Sequence, residues 1–177
     1  MKLIVGGAQF GMKYGITNDK EVISDEGLSV LFSFMTNNGM KSIDTAINYG
    51  NSEKRIGDNS IFNFQITTKL PRIDNDLNLA QFQSCIEFYL DNSVKDLNKN
   101  TISTVLLHSV DNLKLTRDKR KMDVLREILV KRGIQNFGVS IYDESDLVQL
   151  QIETVDHIQI PFNPINTNLL SQIDQLR

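Results

Sequence analysis

At 177 residues the chain holds enough material for one substantial hydrophobic core and too little for two ordinary ones, so it reads as a single domain, 1–177. Apolar residues make up 40% and charged residues 23%, a balance that suits a soluble folded protein and excludes a disordered one. A formal net charge of −3 provides no basic field for a phosphate backbone, so no nucleic-acid partner is expected. The N-terminal apolar run, Leu3 to Val5, is far shorter than a secretory signal core. No stretch approaches the roughly 20 apolar residues that span a bilayer, so no membrane partner is expected. The lone cysteine, Cys85, fits a reducing compartment, and the expected location is the cytoplasm.

The first strand is predicted over Lys2–Ala8 (KLIVGGA). A helix follows, with Leu28, Leu31, Phe32 and Met35 at i, i+3, i+4 and i+7 behind Ser24 and two acids, and Asn37-Asn38-Gly39 ends it. The second and third strands are Ser42–Ala46 and Phe64–Lys69. A second helix runs from about Leu79 to Leu97 with Phe82, Ile86, Tyr89, Leu90 and Leu97 on one face and Cys85 beside it. The fourth strand is Ile102–His108. A third helix, whose solvated start is Arg117–Lys121, turns Met122, Leu125 and Leu129 inward and ends at Lys131-Arg132 before a left-handed Gly133. The fifth strand is Ile134–Ser140, and Asp143 starts a fourth helix carrying Leu147 and Leu150. The sixth strand is Asp156–Phe162, with His157 read as structural. Short β-rich runs alternating with longer amphipathic ones build a parallel sheet covered by helices, an α/β architecture.

In such folds reactive groups gather where strands end. The second strand runs into IDTAINYGNSEKRIG (Ile43–Gly57), the third ends in TTK, the fourth in LLHS and the fifth in GVS. Asp44, Tyr49, Lys69 and His108 therefore sit at or just past strand ends. A free phenol titrates near ~10, and a lysine ammonium ~4 Å away at an effective dielectric of ~20 favours phenolate by up to ~4 kcal/mol. Lys69 is thus expected to draw Tyr49 toward neutral pH, less whatever Asp44 cancels. The opening GGAQFG lacks Rossmann spacing, and no P-loop, HExxH or CxxC occurs, so no metal is expected.

The Asp44, Tyr49, Lys69 and His108 set resembles the catalytic tetrad of the aldo/keto reductase family, and Asp-Thr-Ala with Tyr-Gly-x-Ser-Glu close behind is its most specific element here. VGGAQFGMKYGITN (Val5–Asn18) and IQIPFN (Ile158–Asn163) resemble the first and sixth strands of a small bacterial branch. The resemblance implies a (β/α)8 TIM-barrel fold of which the chain carries about six units, the last two missing. It implies an oxidoreductase that reduces a small-molecule aldehyde or ketone with NADPH. In that reading Tyr49 donates the proton, Lys69 acts on the phenol, Asp44 positions Lys69, and His108 orients the carbonyl. It further implies that Gly7 and Ala8 lie near the nicotinamide ribose, that Ser140 and Gln159 meet the carboxamide, and that Asp44 also belongs to the cofactor set. Where the family often has an asparagine after the fifth-strand serine, this chain has Ile141. The alternative function is an inactive remnant or non-enzymatic interaction module of the same fold, and the unpaired first and sixth strands of a six-unit barrel are expected to favour self-association.

Overall fold

Six β-rich runs pair side by side in the order in which they occur along the chain. In the computed structural model, which describes residues 3–15, 22–59, 63–98 and 100–163, these strands are β1 (Val5–Gly6), β2 (Ser42–Asp44), β3 (Gln65–Leu70), β4 (Thr101–Leu107), β5 (Asn136–Ser140) and β6 (His157–Gln159). Every pairing is parallel. The six strands form the half-barrel of a (β/α)8-type fold. The expected first strand shrinks to two residues: past it the Gly7 N–H donates to Asp44 O at 2.7 Å and the chain coils into α1 (Ala8–Gly11). Lys2 of that stretch lies outside the described residues. The sixth strand is also shorter than expected, since Pro161 has no N–H with which to extend the ladder.

The first long helix, α2 (Asp25–Asn37), starts where Ser24 Oγ accepts from Gly27 N–H at 3.1 Å, and Asp25 and Glu26 complement its positive end. Leu28, Phe32 and Met35 are fully buried, and the Phe32 ring lies 5.7 Å from Phe10 and 4.9 Å from Phe64; Leu31 packs at the margin. After the short α3 (Ser52–Asp58), α4 (Leu79–Leu97) spans the expected range, held at its start by a reciprocal Asn78–Gln81 capping box. Its Phe82, Ile86, Leu90 and Leu97 are buried, with Tyr89 and Cys85 packed beside them. Asp118 caps α5 (Lys119–Lys131), whose Met122, Leu125 and Leu129 are buried as expected, and Gly133 takes the left-handed cap at φ +70°.

Two helical expectations need correction. Lys121 is not solvated: its ammonium donates to Asn75 O at 2.8 Å and sits 5.8 Å from the Phe82 ring centre, its stem buried along the core. The helix after Asp143 is a single turn, α6 (Glu144–Leu147), after which the Gln149 and Leu150 N–H groups bond three residues back and the Gln151 N–H donates to Thr116 Oγ1; Leu150 is nonetheless buried. A 3₁₀ segment, Val110–Arg117, links β4 to α5.

The helices cover one face of the sheet, and strand alternation sorts the residues between its two faces. On β3, Ile66, Thr68 and Leu70 are buried toward the helices, while Gln65 and Thr67 face a groove of about 610 Å³ on the other side, with Ser42, Asp44, Thr104, Leu106, Asn136 and Gln159. Period two then carries Lys69, one step past Thr67 on the same side, to the C-terminal end of that groove.

Candidate active site

Three consecutive strand ends and the turn after the first of them supply the chemistry. Asp44 is the last residue of β2, Lys69 the penultimate residue of β3, and His108 follows β4 directly. Tyr49 lies on the turn between β2 and α3, a turn that Gly50 makes possible at φ +60°. Lys69 Nζ donates to Asp44 Oδ2 at 2.6 Å and to Thr45 O at 3.0 Å, with the lysine side chain 2% exposed and the aspartate 19%. The same ammonium is 5.3 Å from the centre of the Tyr49 ring. His108 meets that ring edge-on, with centroids 5.6 Å apart and planes at 86°. All four residues named from the sequence are thus brought together.

The electrostatics depart from the sequence expectation for Tyr49. Its phenol is not drawn toward neutrality but pushed up to about 12, first by burial and then by the Asp44 carboxylate and the neighbouring Tyr14 and Tyr142 hydroxyls. The reason is geometric: Lys69 spends its charge on Asp44 and approaches Tyr49 over the ring, so the carboxylate field opposes ionisation. Burial also lowers the Lys69 ammonium, against which Asp44 raises it. His108 is held below its ordinary range by burial and then by the Lys69 charge, which favours a neutral imidazole at pH 7. At neutral pH the site therefore presents a protonated phenol, a neutral imidazole and an ion pair beneath them.

The residues expected at a cofactor fall in two groups. Gly7, just past β1, and Ala8, the first residue of α1, stand beside Asp44 through the Gly7 N–H bond to Asp44 O. Ser140 and Gln159 are direct neighbours across β5 and β6, where the Ile141 N–H also donates to Gln159 O at 2.9 Å. Gln159 and Asp44 line the same groove. Ile141 is fully buried and offers no polar atom from its side chain. Asp44 Oδ1 is buried with no hydrogen-bond partner among the described residues. Among the described residues no cluster of His, Cys, Asp and Glu could hold a metal ion.

The sequence profile of the aldo/keto reductase family matches residues 2–177. The chain belongs to the aldo/keto reductase family. Its fold is similar to that of a Pseudomonas aeruginosa protein assigned to the aldo-keto reductases, at a TM-score of 0.74 and 21% identity, covering 97% of this chain and 67% of that one. It is also similar to the thermostable aldo-keto reductase Tm1743, solved with the inhibitor epalrestat, at a TM-score of 0.64 and 19% identity over 95% of this chain and 60% of that one. An aldo/keto reductase from Brucella melitensis aligns at a TM-score of 0.60 and 21% identity, covering 86% of this chain and 61% of that one. At these identities the likeness is one of fold, and this chain spans 60 to 67% of the length of these structures. No curated protein sequence matches it.

Several supporting residues carry no role in the sequence reading. Ser52 and Glu53 open α3, and Arg55 behind them donates to Asp25 Oδ1, to Ile23 O at 2.6 Å and to Phe10 O, clamping the first loop onto the tyrosine-bearing turn. Glu53 is buried and accepts from Thr68 Oγ1 at 2.6 Å and Ser93 Oγ at 3.0 Å, tying α3 to β3 and α4. The signal was present in the Tyr-Gly-x-Ser-Glu string, where the polar Ser52 and Glu53 turn out to be buried.

Proposed function

We propose that this chain carries the reductase chemistry of an NADPH-dependent carbonyl reductase acting on a small aldehyde or ketone, with Tyr49 as proton donor. One observation carries the reading: the Lys69 ammonium, paired with Asp44, lies 5.3 Å from the centre of the Tyr49 ring, and the His108 ring meets that ring 5.6 Å away, at one end of the groove. Reducing a carbonyl places negative charge on its oxygen, and that oxygen needs a proton and an orienting hydrogen bond. A phenol held protonated can give the first, and a neutral imidazole can give the second. Once the proton has left, the Lys69 charge beneath the ring offsets the phenolate.

The residues present fit a nicotinamide cofactor: the open Asp44 Oδ1 can accept from a ribose hydroxyl, Gly7 and Ala8 leave the approach free of long side chains, and Ser140 with Gln159 can meet a carboxamide. When bound, NADPH would supply the hydride. The apolar Ile141 contributes nothing to the amide, so Ser140 and Gln159 carry that recognition. The lone Cys85 suits the cytoplasm. Among the described strands β1 and β6 are the outermost, with Leu3 and Ile4 exposed beside the first, so pairing with another chain belongs to the same reading, and light scattering would detect it. The function is tested by titrating the chain with NADPH through the change in cofactor fluorescence, then adding a panel of aldehydes and ketones. Saturable binding followed by carbonyl-dependent NADPH oxidation is expected, and binding of neither NADPH nor NADH would overturn it.

A further inference from the structure

The Ser52 hydroxyl carries one proton and two lone pairs, and both capacities are spent away from its own helix. It donates to Gly7 O at 2.9 Å. Its 2.9 Å contact with Thr45 Oγ1 must then run the other way, with Thr45 donating to Ser52 Oγ. Both side chains are fully buried. Thr45 in turn presents its carbonyl to Lys69 Nζ at 3.0 Å, and Asp44, the preceding residue, accepts from the same ammonium. The Gly7 N–H donates to Asp44 O, closing a ring through Gly7, Asp44, Thr45 and Ser52. The backbone of Ser52 also donates to Tyr49 O at 3.1 Å. One residue therefore touches the loop bearing Gly7, the peptide that holds Lys69 and the turn that carries Tyr49.

We propose that Ser52 is a positioning residue for the reductase site, acting through Thr45 on Lys69 and through its N–H on Tyr49. The assignment rests on the reductase reading for its catalytic consequence, while the placement of Lys69 does not. A serine that only started a helix would spend its hydroxyl on that helix's first turn, whereas the N-cap of α3 is Asn51 and Ser52 reaches back 7 and 45 residues instead. The surroundings leave no slack: a Cβ on Gly11 would fall 2.3 Å from Ser52 N, and one on Gly7 would fall 3.3 Å from Ser52 Oγ. Loss of the hydroxyl leaves the buried Thr45 O–H without its acceptor, and the Thr45 peptide is then free to turn from Lys69.

The test compares Ser52→Ala, Thr45→Val, Thr45→Ser and wild type, with Lys69 followed by NMR of carbon-labelled lysine and assigned by its absence in Lys69→Met. The groups facing that ammonium are Asp44, Tyr49 and His108, and all are kept. Ser52→Ala and the nearly isosteric Thr45→Val are expected to raise the Lys69 midpoint toward its ordinary value by about half a pH unit or more, as water reaches the loosened site. Thr45→Ser restores the hydroxyl and should restore the wild-type midpoint that Thr45→Val loses. In turnover, both disruptive variants should lower kcat roughly tenfold while KM for the carbonyl moves less than about twofold. If Ser52→Ala does not fold, Thr45→Val decides. Wild-type Lys69 midpoints in folded Ser52→Ala and Thr45→Val would overturn the positioning role. Absence of any NADPH oxidation by wild type would instead count against the reductase reading, leaving the lysine titration to decide Ser52.

Discussion

Lys69 Nζ lies 2.6 Å from Asp44 Oδ2, while the other oxygen of that carboxylate is buried with no hydrogen-bond partner among the described residues. One half of the carboxylate thus fixes the cation, and the other half has no partner among the described residues. The pair is asymmetric in a testable way. Lys69→Met strands a carboxylate in a largely dry site and removes the charge beneath Tyr49, whereas Asp44→Asn keeps an acceptor for the ammonium. Removing one partner of such a pair costs on the order of 3 kcal/mol. Lys69→Met is expected to lose about that much in urea unfolding and to reduce turnover more than Asp44→Asn does. Equal insensitivity of both variants would show that the pair does no chemical work.

Tyr49 should ionise late. Its phenol is pushed up to about 12 by burial and by Asp44, so ultraviolet difference titration should find one tyrosine, absent in Tyr49→Phe, that remains protonated beyond the ordinary range near 10. The sign for stability follows. A raised pKa contributes stability that is complete below 10 and lost as pH rises through the folded value, so the tyrosine favours the folded state up to that window and not above it. A Tyr49 midpoint below its ordinary value would mean that the Lys69 field dominates after all.

All six strand positions and the long helices were legible because hydrophobic period and capping chemistry agree at each of them, although the first and sixth strands are shorter than expected. Ser24 before α2 and Lys131-Arg132-Gly133 after α5 marked ends that the fold uses. The tetrad was legible from residue types at strand ends. What stayed hidden has a physical cause in each case. α3 buries one large apolar residue, Ile56, and otherwise buries Ser52, Glu53 and Gly57, so no apolar stripe announces it. The state of Tyr49 depends on the direction from which Lys69 approaches, and spacing along a chain contains no direction. Lys121 looked solvated because a charge run says nothing of a carbonyl, that of Asn75, waiting 46 residues away.

Glu53 offers a pH signature. Its carboxyl is raised above 4.5 by burial, despite the lowering effect of the Thr68 and Ser93 hydroxyls. It therefore favours the folded state fully below 4.5 and loses that contribution as pH climbs through its folded pKa. Glu53→Gln cannot ionise, so the Tm of the variant minus that of wild type should become more positive between pH 4.5 and neutrality, whatever its absolute value. A difference that is flat, or that falls with pH, would contradict the buried carboxyl.

Glycine substitutions separate close packing from backbone freedom. A Cβ on Gly11 would lie 1.9 Å from Tyr49 O, so Gly11→Ala has to push the tyrosine-bearing turn away and should cost at least about 2 kcal/mol along with most of the activity. Gly133 has open space and only its φ of +70° to maintain, so Gly133→Ala should cost about 1 kcal/mol and leave turnover intact. Denaturant melts of the two variants beside their rates give the comparison, and equal penalties would deny that the first loop presses on the tyrosine turn.

The central claim is that Tyr49 delivers the proton to a reduced carbonyl. Tyr49→Phe deletes that hydroxyl while keeping the ring that meets Lys69 and His108. The decisive measurement is the rate of NADPH oxidation by wild type and Tyr49→Phe with one aldehyde, alongside the NADPH Kd of each. A fall of about 10²-fold or more in rate with Kd unchanged within about twofold is the predicted result. Turnover by Tyr49→Phe within a few-fold of wild type would contradict it.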